Sequence, residues 1–229
     1  MLKEDLLRFF NDFHRHGRLT KGISSTFIAL ILKVEIPQCL SDFRPISLVN
    51  CLYKILSKVL ANRLHNVVGG VISLSQSTFV PDRQILDGLL IANELVDEAR
   101  KRKKDLLLFK VDFKKAYDSV DWNYLDIVLR RLNFPILWRK WMMECISTLT
   151  VSVLVNGSPT EEFKLERGLR QGDPLSSFLF LVAAESLHVM MNLVVESGMF
   201  EPYKVGTQGD VTISHLQFAY DTLLMGAKS

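Results

Sequence analysis

The apolar run Leu106-Leu107-Leu108-Phe109-Lys110-Val111, closed by Asp112, constrains the fold more than any other segment. A short stretch rich in strand formers, bounded on its left by Arg100-Lys101-Arg102-Lys103-Lys104, reads as a buried central strand. A carboxylate where such a strand ends costs energy unless something compensates it, and a divalent metal is one natural partner. Two plainer readings stand beside that one. Asp112 could cap the following turn, or pair with the flanking Lys110, Lys114 and Lys115.

Helical periodicity appears in several places. Leu2, Leu6, Phe9, Phe10 and Phe13 share one face, as do Leu52, Ile55, Leu56, Val59, Leu60 and Leu64 ahead of the stop Gly69-Gly70. A third helix runs from about Gln84 to Arg100 with Ile85, Leu89, Ala92 and Val96 as its apolar side. Its basic end is either a localisation or backbone-binding patch or, the favoured reading, a solvated terminus complementing the macrodipole. After the strand, Asp121 is a plausible N-cap for a helix burying Leu125, Val128, Leu129 and Leu132, and Pro135 opens another carrying Trp138, Trp141 and Met142. Asn156-Gly157, between Val151–Val155 and Phe163–Leu165, signals a hairpin. Asp173-Pro174 starts a long helix to about Glu196 with Phe178, Leu179, Val182, Leu187 and Met190 toward the core. A loop spans Gly206 to Gly209, and a final hairpin runs from Ile213 to Met225. Strand, helices, hairpin, helix, hairpin predicts an α+β sheet layered with helices rather than a doubly wound parallel sheet.

At 229 residues and 48% hydrophobic, the chain can bury a real core in one large or two small domains. Cys39, Cys51 and Cys145 are far apart and odd in number, and the five histidines form no ligand spacing, so neither a disulfide framework nor a zinc site is expected. No secretory leader and no uncharged run of membrane length is read in the sequence, which suggests an intracellular protein without a membrane role. Residues 1–105 carry a net charge of +5 and residues 106–229 a net of −2. That asymmetry suits a chain gripping a polyanion with one half and holding cations with the other, although solvated surfaces often differ by as much.

Three stretches could carry chemistry. Asp221 falls at the tip of the last hairpin in Phe218-Ala219-Tyr220-Asp221-Thr222, so acids on neighbouring strands could hold metal ions for phosphoryl transfer. Gly168-Leu169-Arg170-Gln171-Gly172 combines glycines that allow close approach with two donor side chains, or is an ordinary loop into a helix. Tyr117 is either a wall for a bound sugar or a boundary aromatic.

Taken together, Phe109 through Val120, Gly168 through Ser176 and Phe218 through Leu224 resemble the palm motifs of non-LTR (LINE-type) retrotransposon reverse transcriptases, in a plant-like version. Ser41 through Leu48 and Gln76 through Gln84 resemble their fingers motifs. The resemblance implies a reverse-transcriptase-like fingers (1–104, with N-terminal helices) and partial palm (105–229) of the right-hand polymerase fold, the thumb missing. It casts Asp112 and Asp221 as catalytic metal ligands, with the Phe113 carbonyl as a further contact and Mg²⁺ (or Mn²⁺) as cofactor. Arg83, Tyr117, Gln171 and Gly172 become nucleotide contacts, Tyr117 acting as sugar gate, and Arg44 and Arg170 nucleic-acid contacts. RNA template, DNA primer and dNTP are the implied partners, with no specific protein partner indicated, and nucleus or cytoplasm the implied location.

This chain departs from the family pattern where it matters. Tyr220 stands where the family has a metal-bridging acid, and phenols are poor Mg²⁺ ligands. Asp82 and Ser177 replace a usual glycine and proline, and the sequence stops at Ser229, soon after the hairpin. Two readings follow: an RNA-directed DNA polymerase domain impaired by Tyr220 and truncation, or a catalytically dead retroelement remnant with residual nucleic-acid binding.

Overall fold

A computed structural model describes residues 2–113, 115–206 and 211–227. In chain order the first elements are α1 (Leu2–His16), β1 (Thr26–Leu32), a 3₁₀ turn (Leu40–Asp42), β2 (Phe43–Val49), α2 (Cys51–Val68) and α3 (Ile85–Arg102). Next come β3 (Leu106–Asp112), α4 (Ala116–Ser119), α5 (Trp122–Arg131), α6 (Ile136–Ser147), β4 (Thr150–Val155), β5 (Ser158–Pro159) and β6 (Phe163–Lys164). The last are α7 (Pro174–Glu196), β7 (Tyr203–Val205), β8 (Val211–Ile213), β9 (His215–Phe218) and β10 (Asp221–Ala227). The architecture is α+β, as expected.

The chain forms two compact units, Met1–Leu64 with Tyr117–Phe180, and His65–Ala116 with Leu181–Ser229. Both are discontinuous in sequence. They are therefore different objects from the segments 1–104 and 105–229, which divide the chain by expected role.

In the first unit, β1 pairs antiparallel with β2 and parallel with β4, giving the order β2-β1-β4-β5 with β6 also on β4. The β4–β5 turn uses Asn156 (φ 50) and Gly157 (φ 80), both left-handed, the conformation that asparagine-glycine favours in a tight hairpin. Asp121 caps α5, its carboxylate accepting from the Tyr124 N–H at 2.8 Å, and Leu125, Val128 and Leu129 are buried as the periodicity predicts. Trp141, Met142, Cys145 and Leu149 from the α6 region join Tyr53, Leu56 and Leu60 among the buried side chains.

The second unit is built on the sheet β3-β10-β9, with β7 and β8 as a separate ribbon. Its core gathers Leu95, Ala99, Tyr203, Leu216 and Met225. Here the structure corrects four expectations. β10, with Thr222 and Met225 fully buried, is the central strand, whereas β3 lies at the edge with Leu107, Leu108 and Phe109 exposed. An apolar run predicts burial only where both faces are covered, and the order of strands decides that. On α3 the inner side is Gly88, Leu95 and Ala99, while Ile85 and Leu89 face solvent. Gly88 leads because a Cβ there would stand 2.6 Å from the Phe218 ring, so only glycine lets the helix lie that close. Ile213 belongs to β8 and pairs with Tyr203, so the final hairpin begins at His215.

The fourth correction concerns α7. Leu175, Leu179 and Leu181 are buried, but Met190 is exposed. By length and composition alone α7 is apolar enough to cross a membrane, with a mean hydropathy of 1.9; 44% of that window is buried inside the fold. The basic run closes α3: Lys103 adopts the left-handed cap, Arg102 pairs with Glu98 at 2.8 Å, and Lys104 donates to the Lys204 carbonyl. Beyond Gly206, the expected loop to Gly209 lies outside the described residues, as does Lys114.

Candidate functional site

In the second unit, β9 and β10 are joined by a turn of only Ala219 and Tyr220, Phe218 facing Asp221 across it. Ala219 is left-handed (φ 55), a strained choice for a residue with a Cβ. The buried amide of Gln76 holds it there. Its oxygen accepts from the Ala219 N–H at 2.9 Å and from the Thr78 N–H at 3.1 Å, and its nitrogen donates to the Ala219 carbonyl at 3.4 Å. Around it, the Ser77 N–H donates to the Gln217 carbonyl and the Gln217 N–H to the Ser75 carbonyl, lacing residues 75–77 onto β9.

The turn sets the register of β10, and the first pair of its ladder with β3 is Asp221 opposite Asp112. Directly opposed residues of an antiparallel pair point to one face, with Cβ atoms about 4.5–5.5 Å apart. Asp112 is exposed, so burial sets no need for a compensating cation there; what distinguishes it is the second carboxylate opposite. Lys110, two residues earlier on the same face, places Nζ 3.0 Å from Asp221 Oδ1. Hydrogen bonding to Asp221 and then its charge hold the ammonium above the usual lysine range, with Asp112 adding to the effect. The ion pair expected between Asp112 and its flanking lysines is not the one seen: Lys110 pairs with Asp221 instead, and Lys114 lies outside the described residues.

Tyr220 lies in the turn rather than on the strand, 45% exposed, and its carbonyl accepts from the Phe113 N–H at 3.4 Å. Two carboxylates on one face, already drawing one cation, fit a single divalent ion in donor chemistry. No group of three or more His, Cys, Asp or Glu side chains gathers among the described residues.

Arg83 belongs to this unit but does not face solvent with free donors. Its guanidinium donates to the carbonyls of Ser73, Gln76 (2.8 Å), Ile72 (3.0 Å) and Gly69 (3.4 Å). The expected phosphate contact is here a clamp on the segment from Gly69 to Gln76. Nearby, Asn192 donates to His188 Nε2 at 2.9 Å, which leaves His188 Nδ1 to donate to His215 Nε2 at 3.0 Å and His215 Nδ1 to donate to Ser214 Oγ at 2.8 Å. Both rings are neutral in that chain of bonds. Burial, and then His188, push His215 down to about 4, and burial lowers His188 as well.

Arg44, Tyr117, Arg170, Gln171 and Gly172 lie in the first unit. The Gly168–Gly172 turn is pinned to residues 117–122: the Gly168 N–H donates to the Val120 carbonyl (2.8 Å), the Leu169 N–H to the Tyr117 carbonyl (2.8 Å), and Trp122 Nε1 to the Gly168 carbonyl (2.8 Å). Gly168 has φ +92, and a Cβ on it would meet the Asp118 carbonyl oxygen at 3.1 Å. Gln171 Nε2 donates to Asp118 at 3.3 Å, and its carbonyl accepts from the Ser47 N–H of β2. Gly172 is exposed, and Arg44 is exposed on β2. Tyr117 stacks on Phe180, with ring centroids 5.4 Å apart, and shares a hydrogen bond with Ser177 at 3.3 Å. A groove of about 470 Å³ runs beside this turn, its lining including Ser47, Asp118, Lys164, Arg167 and Gln171.

Arg170 departs from its expected role. It is buried, donating to the Cys145 carbonyl (2.7 Å) and the Ser24 carbonyl (2.9 Å), with its guanidinium 4.0 Å above the Tyr53 ring. Tyr53 donates to Asp173, the residue before α7, at 3.1 Å. A guanidinium so enclosed holds the turn and does not reach a nucleic acid. Gln76 is the residue that sequence reasoning missed: a glutamine between serines carries no mark of burial, and only the turn it grips gives it a role.

The match of residues 31–228 to the family described as reverse transcriptase (RNA-dependent DNA polymerase) covers most of the chain. The chain is 30% identical over 184 residues, 80% of its length, to the transposon TX1 uncharacterized 149 kDa protein of Xenopus laevis. It is 26% identical over 224 residues, 98% of its length, to the retrovirus-related Pol polyprotein from type-1 retrotransposable element R2 of Nasonia vitripennis. It spans only 14% and 21% of those two relatives. Among solved structures, a telomerase from Candida tropicalis in complex with a fragment of telomeric RNA shares the fold, with TM-score 0.60, 12% identity, 99% of this chain and 40% of that one covered. The chain belongs to the reverse transcriptase (RNA-dependent DNA polymerase) family, as a reverse transcriptase domain of the non-LTR retrotransposon type.

Proposed function

We propose that the chain is the fingers (1–104) and partial palm (105–229) of an RNA-directed DNA polymerase from a plant-type non-LTR element, its nucleotidyl transfer impaired by Tyr220. It works in the nucleus or cytoplasm on an RNA template, a DNA primer and dNTPs, with Mg²⁺ or Mn²⁺. One observation carries the reading: Asp112 and Asp221 in direct cross-strand register, with a cation at 3.0 Å from the second. Asp112 and Asp221, with the Phe113 carbonyl, would hold the metal, which when bound would supply Lewis-acid activation and charge neutralisation as a primer 3′-OH attacks the dNTP α-phosphate and pyrophosphate leaves. Tyr117, fixed by Phe180 and Ser177, crowds the 2′ position of an incoming sugar, while Gln171 and Gly172 line its path and Arg44 meets the template.

The test is primer extension on an RNA template with Mg²⁺ and dNTPs, comparing the chain as it stands, Tyr220→Asp, and Tyr220→Asp with Asp112→Ala. Extension only by Tyr220→Asp supports an intact fold disabled at one side chain. Extension by the native sequence would refute the impairment.

A second reading has its own observations. Arg83 and Arg170 direct their guanidinium donors at backbone carbonyls, and the turn lacks one acid, which favours a dead remnant with weak nucleic-acid binding. Salt-sensitive RNA binding with no extension by any variant would favour it.

A further inference from the structure

We infer that Lys110 is the resident counter-cation of the Asp112–Asp221 pair and sets how much divalent ion is needed to load it, an inference that rests on the metal-binding reading of that pair. Asp112 and Lys110 are two residues apart on β3 and so share a face, and Asp221 stands opposite the first and diagonal to the second. The register thus brings the ammonium to the face that carries both carboxylates, where it meets Asp221 at 3.0 Å. With Tyr220 supplying no charge, the pair and Lys110 together leave a single negative charge for a divalent ion to meet.

Among the described residues, that contact with Asp221 is the one that anchors the ammonium. The Lys110 side chain is 68% exposed, against 34% for Asp221. A lysine on a four-carbon stem in such a position is a mobile, strongly hydrated point charge. It can leave when a divalent ion enters, and until then it relieves the repulsion of two carboxylates brought face to face. Charges at contact distance near a protein surface interact weakly enough that the competition amounts to about a 3- to 10-fold change in apparent affinity.

Direct Mn²⁺ binding, measured by the resonance of the free ion and at low ionic strength, tests this on the full chain without any need for activity. The comparison is native protein, Lys110→Met, Lys110→Gln, Lys110→Arg and Asp221→Asn. Tighter Mn²⁺ binding by Lys110→Met and Lys110→Gln, native-like binding by Lys110→Arg and loss of binding in Asp221→Asn is the expected result. Thermal melts add a second readout: the two neutral variants should melt lower than native without Mn²⁺ and gain more from it. Unchanged or weaker binding by both neutral variants overturns the role of Lys110 while leaving the metal site standing. Absence of Mn²⁺ binding in every variant, or binding that Asp221→Asn does not alter, overturns the site and this inference with it.

Discussion

Asp221 faces Asp112 across the first pair of the β3–β10 ladder, directly after the Ala219-Tyr220 turn that pairs β10 with β9. Removing either carboxylate from an otherwise competent domain should be costly. In the Tyr220→Asp background, Asp112→Ala and Asp221→Ala are each expected to lower the extension rate by about 10²-fold or more, as for loss of one transition-state charge stabiliser. Single-turnover primer extension measures it, and a tenfold or smaller loss would contradict the assignment.

Gln76 should matter to the same turn from a distance in sequence. Gln76→Ala leaves both the Ala219 N–H and its carbonyl without their partner, an expected loss of about 1–3 kcal/mol for buried groups left unpaired. Denaturant unfolding reads the loss, and hydrogen exchange at the Ala219 amide should speed up more than exchange in α5. An unchanged Ala219 rate would show that the turn keeps its shape unaided.

Gly168→Ala is expected to destabilise the first unit by more than Gly22→Ala. Both glycines have positive φ, but a Cβ at Gly22 meets nothing, whereas at Gly168 it presses on the Asp118 backbone. The strain common to both is about 1 kcal/mol, so the excess at Gly168 isolates the close approach. Equal melting temperatures for the two variants would remove that contact from consideration.

His215 predicts a pH dependence. Its folded value near 4 lies below the ordinary histidine value of about 6.5. Between those values the unfolded chain binds a proton that the folded chain refuses. Stability is therefore full above about pH 6.5 and declines as pH falls from there toward 4. Glu185, pushed up by burial, works in the opposite sense just above the ordinary glutamate value. The fall in melting temperature from pH 7 to pH 5 should accordingly be compared with that of His215→Gln, where it is expected to be smaller. The same fall in both proteins would sever it from the histidine pair.

Local signals were legible wherever neighbours in sequence determine the outcome. The Asp121 cap, the Leu125/Val128/Leu129 stripe and the Asn156-Gly157 turn could be read directly because each depends on residues within one or two turns. Burial of β3 could not, since it depends on β10, more than a hundred residues away, taking the centre of the sheet. The inner face of α3 was hidden for a related reason: Gly88 has no side chain to register in a periodicity, yet it leaves no room for one against the Phe218 ring. Asp112 and Asp221 could be singled out because each stands at the end of an apolar run, and the structure sets them opposite each other. Arg83 and Arg170 were misread because the carbonyls they bind belong to backbone whose path no motif describes.

The edge position of β3 has a practical side. A seven-residue strand with Leu107, Leu108 and Phe109 exposed offers any neighbouring molecule both an oily surface and a ready ladder of main-chain groups. Strand addition of that kind grows with protein concentration and needs no unfolding. Time and concentration, more than heat, will decide how long a purified sample stays monodisperse.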